Sequence, residues 1–280
     1  WVVERILFLA QTFAIDVAAF AVMHNHHHVV LRVDINKATN WTTNEVVERW
    51  HKLYKGSFIS QRYIAEGQLP AAESLVLARD VKIWRQRLMD ISWFMKALNE
   101  PIARKANAED NCTGRFYEGR FKSQALLDEQ AILACMAYCD LNPIRAKLAT
   151  TPENSDYTSV QTRIKAAKQG RISDVLAQFQ SKERKVRTDR IPFELQDYIE
   201  LVDLTGRAIR DDKRGQIDNN LPAILKRLNI DTETWLHIAT TFEDSFGPWI
   251  GTSKQLKQVC ENTGKRWICR SPGCQKLYPT

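Results

Sequence analysis

The chain has 280 residues, of which 44% are hydrophobic and 26% charged, as in an ordinary globular protein with a core of its own. Forty Lys and Arg residues against 33 Asp and Glu residues give a formal net charge of +7, which suits a nucleic-acid partner but is common in proteins without one. The longest apolar stretch, residues 6–23, is interrupted by Gln11 and Asp16 and makes a poor membrane span. Six cysteines at irregular spacing, with no visible secretion signal, favour free thiols and a cytoplasmic location over a disulfide framework.

The N-terminal segment combines a predicted helix with a predicted β-hairpin. Apolar residues recur at helical spacing over residues 1–15. The chain begins at Trp1 as if in the middle of a helix, so we expect that an N-terminal piece is missing. Residues 16–23 and 27–33 are short, apolar and rich in β-formers, and the tight connection around His24 predicts that they pair.

Helices follow the hairpin. They are predicted over residues 43–54 and 72–108, the second broken at Pro101. The aromatic-rich stretch 113–126 alternates well enough to be a strand. Another helix begins at Asp128, where acidic residues suit the positive end of the helix dipole.

The C-terminal part gives weaker signals. Residues 163–190 are rich in Lys and Arg and indicate a linker or an exposed helix, with phosphate contact as a further option. Residues 191–257 are apolar at helical spacing and predict a small helical domain. The three cysteines beyond residue 257 lack the paired spacing of a zinc site.

Four histidines lie within the five residues 24–28. Because side chains alternate along a strand, His26 and His28 share a face and can bind one divalent cation together. His24 lies in the turn, and His27 is expected to point inward with the apolar residues. The alternative is a pair of half-exposed histidines without a ligand, since two ligands make an incomplete site.

A second group of polar residues lies on the helix after Asp128. Tyr138 and Asn142 are four residues apart, so a phenol and an amide project together from one side. Another side is an apolar stripe, made of Ile132, Met136 and Cys139. Pro143 ends or kinks the helix near Asn142. The alternatives are a surface tyrosine and a helix-capping asparagine.

Three stretches make the chain resemble the REP-associated tyrosine transposases, which are single-tyrosine members of the HUH nuclease superfamily. They are AVMHNHHHVVLRV (residues 21–33), GRFYEGRFKS (114–123) and YCDLNPIRA (138–146). The resemblance covers roughly residues 1–165. The sequence departs from the family pattern at His24, where a proline is usual, and at His27, where a hydrophobic or aromatic residue is usual.

The resemblance implies an enzyme that cleaves and rejoins DNA strands through a 5′-phosphotyrosine intermediate. Tyr138 is then the nucleophile, His26 and His28 are metal ligands, and Asn142 is the third ligand. The metal is expected to be Mg²⁺ or Mn²⁺ and the substrate single-stranded or hairpin DNA at repeat ends, with no membrane partner. The acting protein is a monomer or a homodimer.

The implied architecture is an α+β fold in which helices flank a central antiparallel sheet, as in HUH nucleases. The predicted domains are an HUH domain over residues 1–160, a basic linker over 161–190 and a helical region of unknown role over 191–280. A first strand that the family places before the N-terminal helix is absent from this sequence.

Five basic residues near the motifs are predicted to contact DNA phosphates, although a solvated surface explains them equally well. They are Arg115, Arg120, Lys122, Arg145 and Lys147.

Two other functions stay open. One is a non-catalytic, sequence-specific DNA-binding protein derived from a transposase. The other is a different HUH enzyme, such as a replication initiator or a relaxase, with the same metal and tyrosine chemistry.

Overall fold

A computed structural model describes residues 1–181, 187–210, 222–266 and 272–278 of the chain. These residues form a mostly helical α+β protein, in agreement with the predicted class. The chain divides into two compact units: residues 1–17 with 31–121, and residues 18–30 with 122–280. The predicted domain boundaries at residues 160 and 190 stay a prediction, because compactness alone does not show which part of a chain folds or acts independently.

The predicted N-terminal helix and hairpin are confirmed. Helix α1 (Val2–Thr12) precedes strand β1 (Ile15–Val22), and a turn joins β1 to strand β2 (His27–Val33). At the tip of the hairpin the Met23 N–H donates to the carbonyl oxygen of His26 at 2.8 Å. A connection this short requires the two strands to run antiparallel.

The burial of β2 differs from the prediction. Val30 is the buried residue of this strand, whereas Val29 and His27, which were expected to face the core, are only half-buried. His28 is half-buried as well. The assignment of an inner face to His27 and Val29 is therefore wrong, because both faces of β2 are partly covered and burial does not alternate along it.

The rest of the first unit is helical. Its helices are α2 (Ile35–Asn40), α3 (Thr43–His51), α4 (Phe58–Glu66), α5 (Ala71–Arg87) and α6 (Ile91–Glu109). Helix α3 begins with a capping box, in which the side chains of Thr42 and Glu45 each accept a hydrogen bond from the other residue's backbone N–H. In the core of this unit Phe13 and Phe94 pack edge to face, with 5.3 Å between ring centroids.

The break in the long helical stretch lies elsewhere than predicted. Pro101 is inside α6, and the break falls before α6, where the Asp90 carboxylate accepts from the Trp93 N–H at 3.0 Å and caps a new helix. Proline removes one backbone hydrogen bond from a helix. Leu98 and Ile102 beside Pro101 are both buried, so the packing of this side stabilises the uninterrupted helix.

The strand predicted over residues 113–126 is wrong for all but its last two residues. Ala125–Leu126 is a short strand, β3, and the residues before it form no helix or strand. The side chains of Phe116 and Phe121 are 45% and 38% exposed. The alternating aromatic residues therefore gain little burial, and burial against neighbours is what stabilises such residues in a strand.

The second unit is a helical assembly with short strands. After β3 its elements are α7 (Glu129–Asp140), α8 (Asn142–Arg145), a 3-10 turn (Pro152–Asn154), α9 (Ser159–Lys168), β4 (Phe179–Gln180), β5 (Ile191–Glu194), α10 (Leu195–Ala208), α11 (Ala223–Arg227), α12 (Thr232–Ser245), β6 (Trp249–Ile250), α13 (Ser253–Thr263) and α14 (Pro272–Leu277). The helix predicted from Asp128 is thus confirmed as α7, and the helical character of 191–257 is confirmed where the structure describes it. Tyr198, Trp235 and Phe242 are at most 1% exposed and lie in the core of this unit.

In the described ranges the sheets have two strands each and pair β1 with β2, β3 with β6, and β4 with β5. The last two pairs are parallel. One isolated antiparallel bridge joins Ala21 to Thr158. The expected central antiparallel sheet is not found in this part of the chain, since residues 113–124, which were to supply a further strand, are irregular.

The expectations on membrane spans and on cysteines can be compared with the described residues. None of the helices described there is long and apolar enough to cross a membrane. The cysteines described are free thiols, as predicted: Cys112, Cys135, Cys139, Cys260 and Cys274. Cys269 and part of the predicted basic run, residues 182–186, lie outside the described residues.

Candidate active site

The two histidines predicted as metal ligands lie at the tip of the hairpin, in the second unit. His26 is exposed at the end of the turn, and His28 is half-buried in β2. Their ring centroids are 4.9 Å apart and the rings are almost perpendicular. The two rings are therefore neighbours, as the alternation of a strand predicts. His24 is exposed in the turn.

Helix α7 brings Tyr138 to His28. The helix begins at Asp128, whose carboxylate accepts from the Ala131 N–H at 2.9 Å. Its apolar side is buried in the core, with Met136 fully buried. Tyr138 projects from another side, half-buried, and its ring meets the ring of His28 edge-on with 5.9 Å between centroids.

Asn142 lies against the other histidine. Helix α7 ends at Asp140, and the short α8 begins with Asn142 and Pro143, so the chain breaks where Pro143 predicts. Asn142 is 6% exposed, and its amide nitrogen lies 3.4 Å from Nε2 of His26. The structure thus brings together all four residues predicted to form the site, Tyr138 with His28 and Asn142 with His26.

The neighbours of the two imidazoles leave one lone pair on each ring. Oδ1 of Asn25 lies 2.7 Å from Nδ1 of His26, so Nδ1 carries the proton and Nε2 keeps its lone pair on the side of Asn142. Nδ1 of His28 lies 3.4 Å from a carboxylate oxygen of Glu243, which favours the same tautomer. An amide flip would place the oxygen of Asn142 beside the lone pair on Nε2 of His26.

Burial keeps His28 neutral. Its pKa is lowered to about 4, first by burial and then by the nearby charges of His26 and Arg145. At neutral pH the contact with Glu243 is therefore that of a neutral imidazole and not an ion pair. A neutral imidazole is the form that binds metal ions.

Three side chains enclose the ring of Tyr138. The guanidinium carbon of Arg145 lies 3.4 Å from the ring centroid, and the ring of Phe242 lies 5.5 Å away between centroids. The carboxylate of Glu243 is near enough to the phenol to raise its pKa. Arg145 is itself held in place, because its Nη1 donates to the carbonyl oxygen of Thr240 at 3.4 Å.

These neighbours oppose one another in their effect on the phenol. Together they raise the pKa of Tyr138 to about 12: burial raises it most, Arg145 lowers it, and Glu243 and Asp244 raise it. The phenol therefore keeps its proton at neutral pH and must be activated before it can act as a nucleophile.

Sequence analysis missed Asn25, Glu243 and Phe242. Asn25 stands inside the histidine motif, and its short polar side chain next to His26 was a signal for a hydrogen bond to the ring. Phe242 falls in residues 191–257, which were predicted to be helical, but nothing in the sequence showed which core its ring would join. Glu243 carries no motif, and only the position of α12 beside α7 brings it to the site.

The predicted DNA-contact residues are distributed over both units. Arg115 and Arg120 belong to the first unit, and both are exposed in the irregular segment after α6. Lys122 and Lys147 belong to the second unit and are exposed. Arg145 differs from the others, because it is half-buried over the ring of Tyr138.

In the part of the chain that the structure describes, no group of three or more His, Cys, Asp or Glu side chains is arranged to hold a metal ion. A site built from His26, His28 and Asn142 has two imidazoles and one amide. It depends on the amide oxygen, and on water or substrate oxygens for the remaining positions, which is the mixed ligand set that Mg²⁺ and Mn²⁺ accept. The tautomers of both histidines fit such an ion.

Comparison of the chain with known protein families, with curated proteins and with solved structures finds no match.

Proposed function

We propose that this protein is a metal-dependent, single-tyrosine transesterase of the HUH type that cleaves and rejoins single-stranded or hairpin DNA, as a transposase does. The observation that carries the proposal is that Asn142 lies against His26 and Tyr138 against His28. Asn142 and His26 are 116 residues apart in the sequence. A phenol, two imidazoles and an amide converge in one place, and two of the three motifs of the resemblance, residues 21–33 and 138–146, supply all four.

In the proposed reaction the Tyr138 oxygen attacks a backbone phosphorus. The new oxygen–phosphorus bond forms while the bond from phosphorus to the 3′ oxygen breaks, which leaves a 5′-phosphotyrosine and a free 3′-hydroxyl. In net terms the phenol proton ends on that hydroxyl. A divalent ion bound by His26, His28 and Asn142 would make the phosphate more electrophilic. Attack by another 3′-hydroxyl reverses the step and rejoins strands without ATP.

The residues around the phenol have defined parts in this proposal. The cation of Arg145 over the ring of Tyr138 stabilises the phenolate. Asn25 and Glu243 orient the imidazoles so that Nε2 of each is available. Glu243 also raises the pKa of the phenol and so opposes its activation.

The finer fold assignment is part of the proposal. An HUH nuclease carries its histidines on a strand of an antiparallel sheet, with the tyrosine on a helix beside it. The hairpin β1–β2, its antiparallel bridge from Ala21 to Thr158 and the contact of α7 with His28 support this arrangement. We expect Arg115 and Arg120 in the first unit, and Lys122 and Lys147 in the second, each to contact DNA phosphates, and we expect a cytoplasmic monomer or homodimer.

The test is the substitution Tyr138→Phe. A labelled hairpin oligonucleotide incubated with the protein and Mn²⁺ should give a covalent adduct on a denaturing gel with the unchanged protein and none with the variant. Binding of the same oligonucleotide, measured by fluorescence anisotropy, should stay within about twofold. Tyr157→Phe removes a hydroxyl from a tyrosine that is 66% exposed and is the matched control. Cleavage by the Tyr138 variant at the unchanged rate would refute the assignment.

Two observations favour the non-catalytic alternative. The pKa of Tyr138 is raised to about 12, so the phenol is protonated at neutral pH, and the proposed metal ligand set contains no carboxylate. A protein that only binds DNA would leave the oligonucleotide uncut with either metal while keeping its affinity. A different HUH enzyme would cut, but it would not transfer strands between oligonucleotides that carry repeat ends.

A further inference from the structure

A cavity of about 130 Å³ lies beside α9 in the second unit. Its wall consists of residues from α9, from the loop after it, from β4 and from the chain just before and after β5. None of the residues of the candidate active site lines it. Three of the lining side chains are the arginines Arg163, Arg171 and Arg190, and no carboxylate of the described residues lines the cavity.

Arg163 is the buried member of this group. It is 3% exposed, and its Nη1 is buried without a hydrogen-bond partner in the described structure. Its Nη2 donates to the carbonyl oxygen of Ala177 at 3.0 Å, and its guanidinium lies over the ring of Phe179. A buried cationic donor without an acceptor costs free energy, so its presence here calls for an acceptor.

The carboxylate that acts electrostatically on Arg163 does not fill this role. Asp140 interacts with Arg163 through its charge, but both of its oxygens are already engaged. One accepts from the Ser159 hydroxyl at 2.6 Å and from the Val160 N–H at 2.9 Å, and the other accepts from the Tyr198 hydroxyl at 2.6 Å. Asp140 thus links α7 to α9 and α10 through these hydrogen bonds. Nη1 of Arg163 still has no acceptor in the described structure.

The other two arginines also keep donors available. Nη1 of Arg190 donates to the carbonyl oxygen of Phe179 at 3.3 Å, and Arg171 contacts the side chain of Gln169. A guanidinium has five N–H donors, so each of these contacts leaves several free.

We propose that this cavity binds a phosphate group. Guanidinium groups match the oxygens of phosphate in pairs and recognise it better than lysines do. The cavity has the volume of a few water molecules, which is enough for a compact tetrahedral anion. A phosphate monoester carries up to two negative charges, which three arginines with no carboxylate among them can neutralise, and it is joined to the rest of its molecule at a single oxygen. The group is either free phosphate or the terminal phosphate of an oligonucleotide.

The first measurement is binding of inorganic phosphate to the full chain by calorimetry and by the rise in Tm, against chloride at equal ionic strength. Arg190→Gln and Arg171→Gln should each weaken binding roughly tenfold, the loss expected for one charge-assisted hydrogen bond. Arg207→Gln is the matched control, because Arg207 is exposed on α10, about 18 Å along the helix from the cavity residue Leu195. It should bind phosphate as the unchanged protein does.

A second measurement identifies the source of the phosphate. A short oligonucleotide with a 5′-phosphate is compared with the same oligonucleotide ending in a 5′-hydroxyl. A preference for the phosphorylated form that disappears in Arg190→Gln assigns the site to a DNA end. Binding of inorganic phosphate alone, with the same loss in the variant, assigns it to a free anion.

Two results would overturn the proposal. One is that phosphate raises the Tm no more than chloride and the two oligonucleotides bind equally. The other is that the variants at Arg171 and Arg190 bind as the Arg207 control does. The inference does not depend on the proposed strand cleavage, since Tyr138→Phe should bind phosphate unchanged.

Discussion

An exposed amide decides which nitrogen of His26 faces the proposed metal. Oδ1 of Asn25 lies 2.7 Å from Nδ1 of His26 and holds the proton there. Asn25→Ala removes this acceptor and lets the proton move to Nε2, so the affinity for Mn²⁺ should fall about 10- to 100-fold. Titration followed by electron paramagnetic resonance measures it.

The control for this prediction is Asn36→Ala, which removes an exposed amide from α2 in the first unit. It should bind Mn²⁺ as the unchanged protein does. Because Asn25 is exposed, neither variant should change the Tm by more than a few degrees. Equal Mn²⁺ affinity in the Asn25 variant and the control would show that the amide does not set the tautomer.

The charges beside Tyr138 predict opposite changes in cleavage rate when Glu243 and Arg145 are neutralised. Glu243 raises the pKa of Tyr138 and Arg145 lowers it. Below this pKa the phenolate fraction increases tenfold per pH unit, so a lower pKa gives more nucleophile at a fixed pH. Glu243→Gln removes the negative charge with little change in size and should raise the single-turnover cleavage rate at pH 8. Arg145→Gln should lower it.

Both variants are compared at saturating Mn²⁺, because Glu243 also lies beside the proposed metal ligand His28 and its substitution can weaken metal binding. Each rate is measured from pH 6 to pH 9, and the two profiles should be displaced in opposite directions from that of the unchanged protein. A loss of cleavage in Glu243→Gln would mean that the carboxylate helps to remove the phenol proton.

At the scale of elements, α7 depends on a buried carboxylate at its C-terminal end. Asp140 is fully buried and accepts hydrogen bonds from α9 and from Tyr198 of α10. Tyr198→Phe leaves one oxygen of Asp140 without its donor and should lower the free energy of unfolding by about 1.5–3 kcal/mol. Urea unfolding measures this, and Tyr157→Phe at an exposed position should change it by no more than about 0.5 kcal/mol.

The elements that the sequence predicted are those with local signals. Asp128 at an N-cap position predicts the start of α7, and a short polar turn between two β-rich runs predicts the hairpin. Pro101 and residues 113–124 were interpreted by the same local rules, and there the rules failed. Whether Pro101 ends a helix depends on what its neighbours bury, and whether an aromatic run becomes a strand depends on a partner strand.

At the scale of the whole molecule, the candidate site likewise combines residues with a local sequence signal and residues that only packing brings in. Spacing paired His26 with His28 and Tyr138 with Asn142, because a strand and a helix place residues at known intervals, and the family resemblance joined the two pairs into one site. Glu243 was not found. It reaches the site only through the packing of α12 against α7, which no periodicity in either segment specifies.

The net charge of +7 contributes to function only if basic side chains meet DNA phosphates, and salt dependence measures that contact. The logarithm of the association constant for single-stranded DNA should fall linearly with the logarithm of salt concentration, by about 0.7 for each phosphate contacted. Lys122→Gln and Arg120→Gln should each make this slope shallower by about that amount. Lys254→Gln, an exposed position on α13, changes the net charge equally and should leave the slope unchanged. If all three variants shift the slope alike, the affinity reflects total charge, and Arg120 and Lys122 are an ordinary solvated surface.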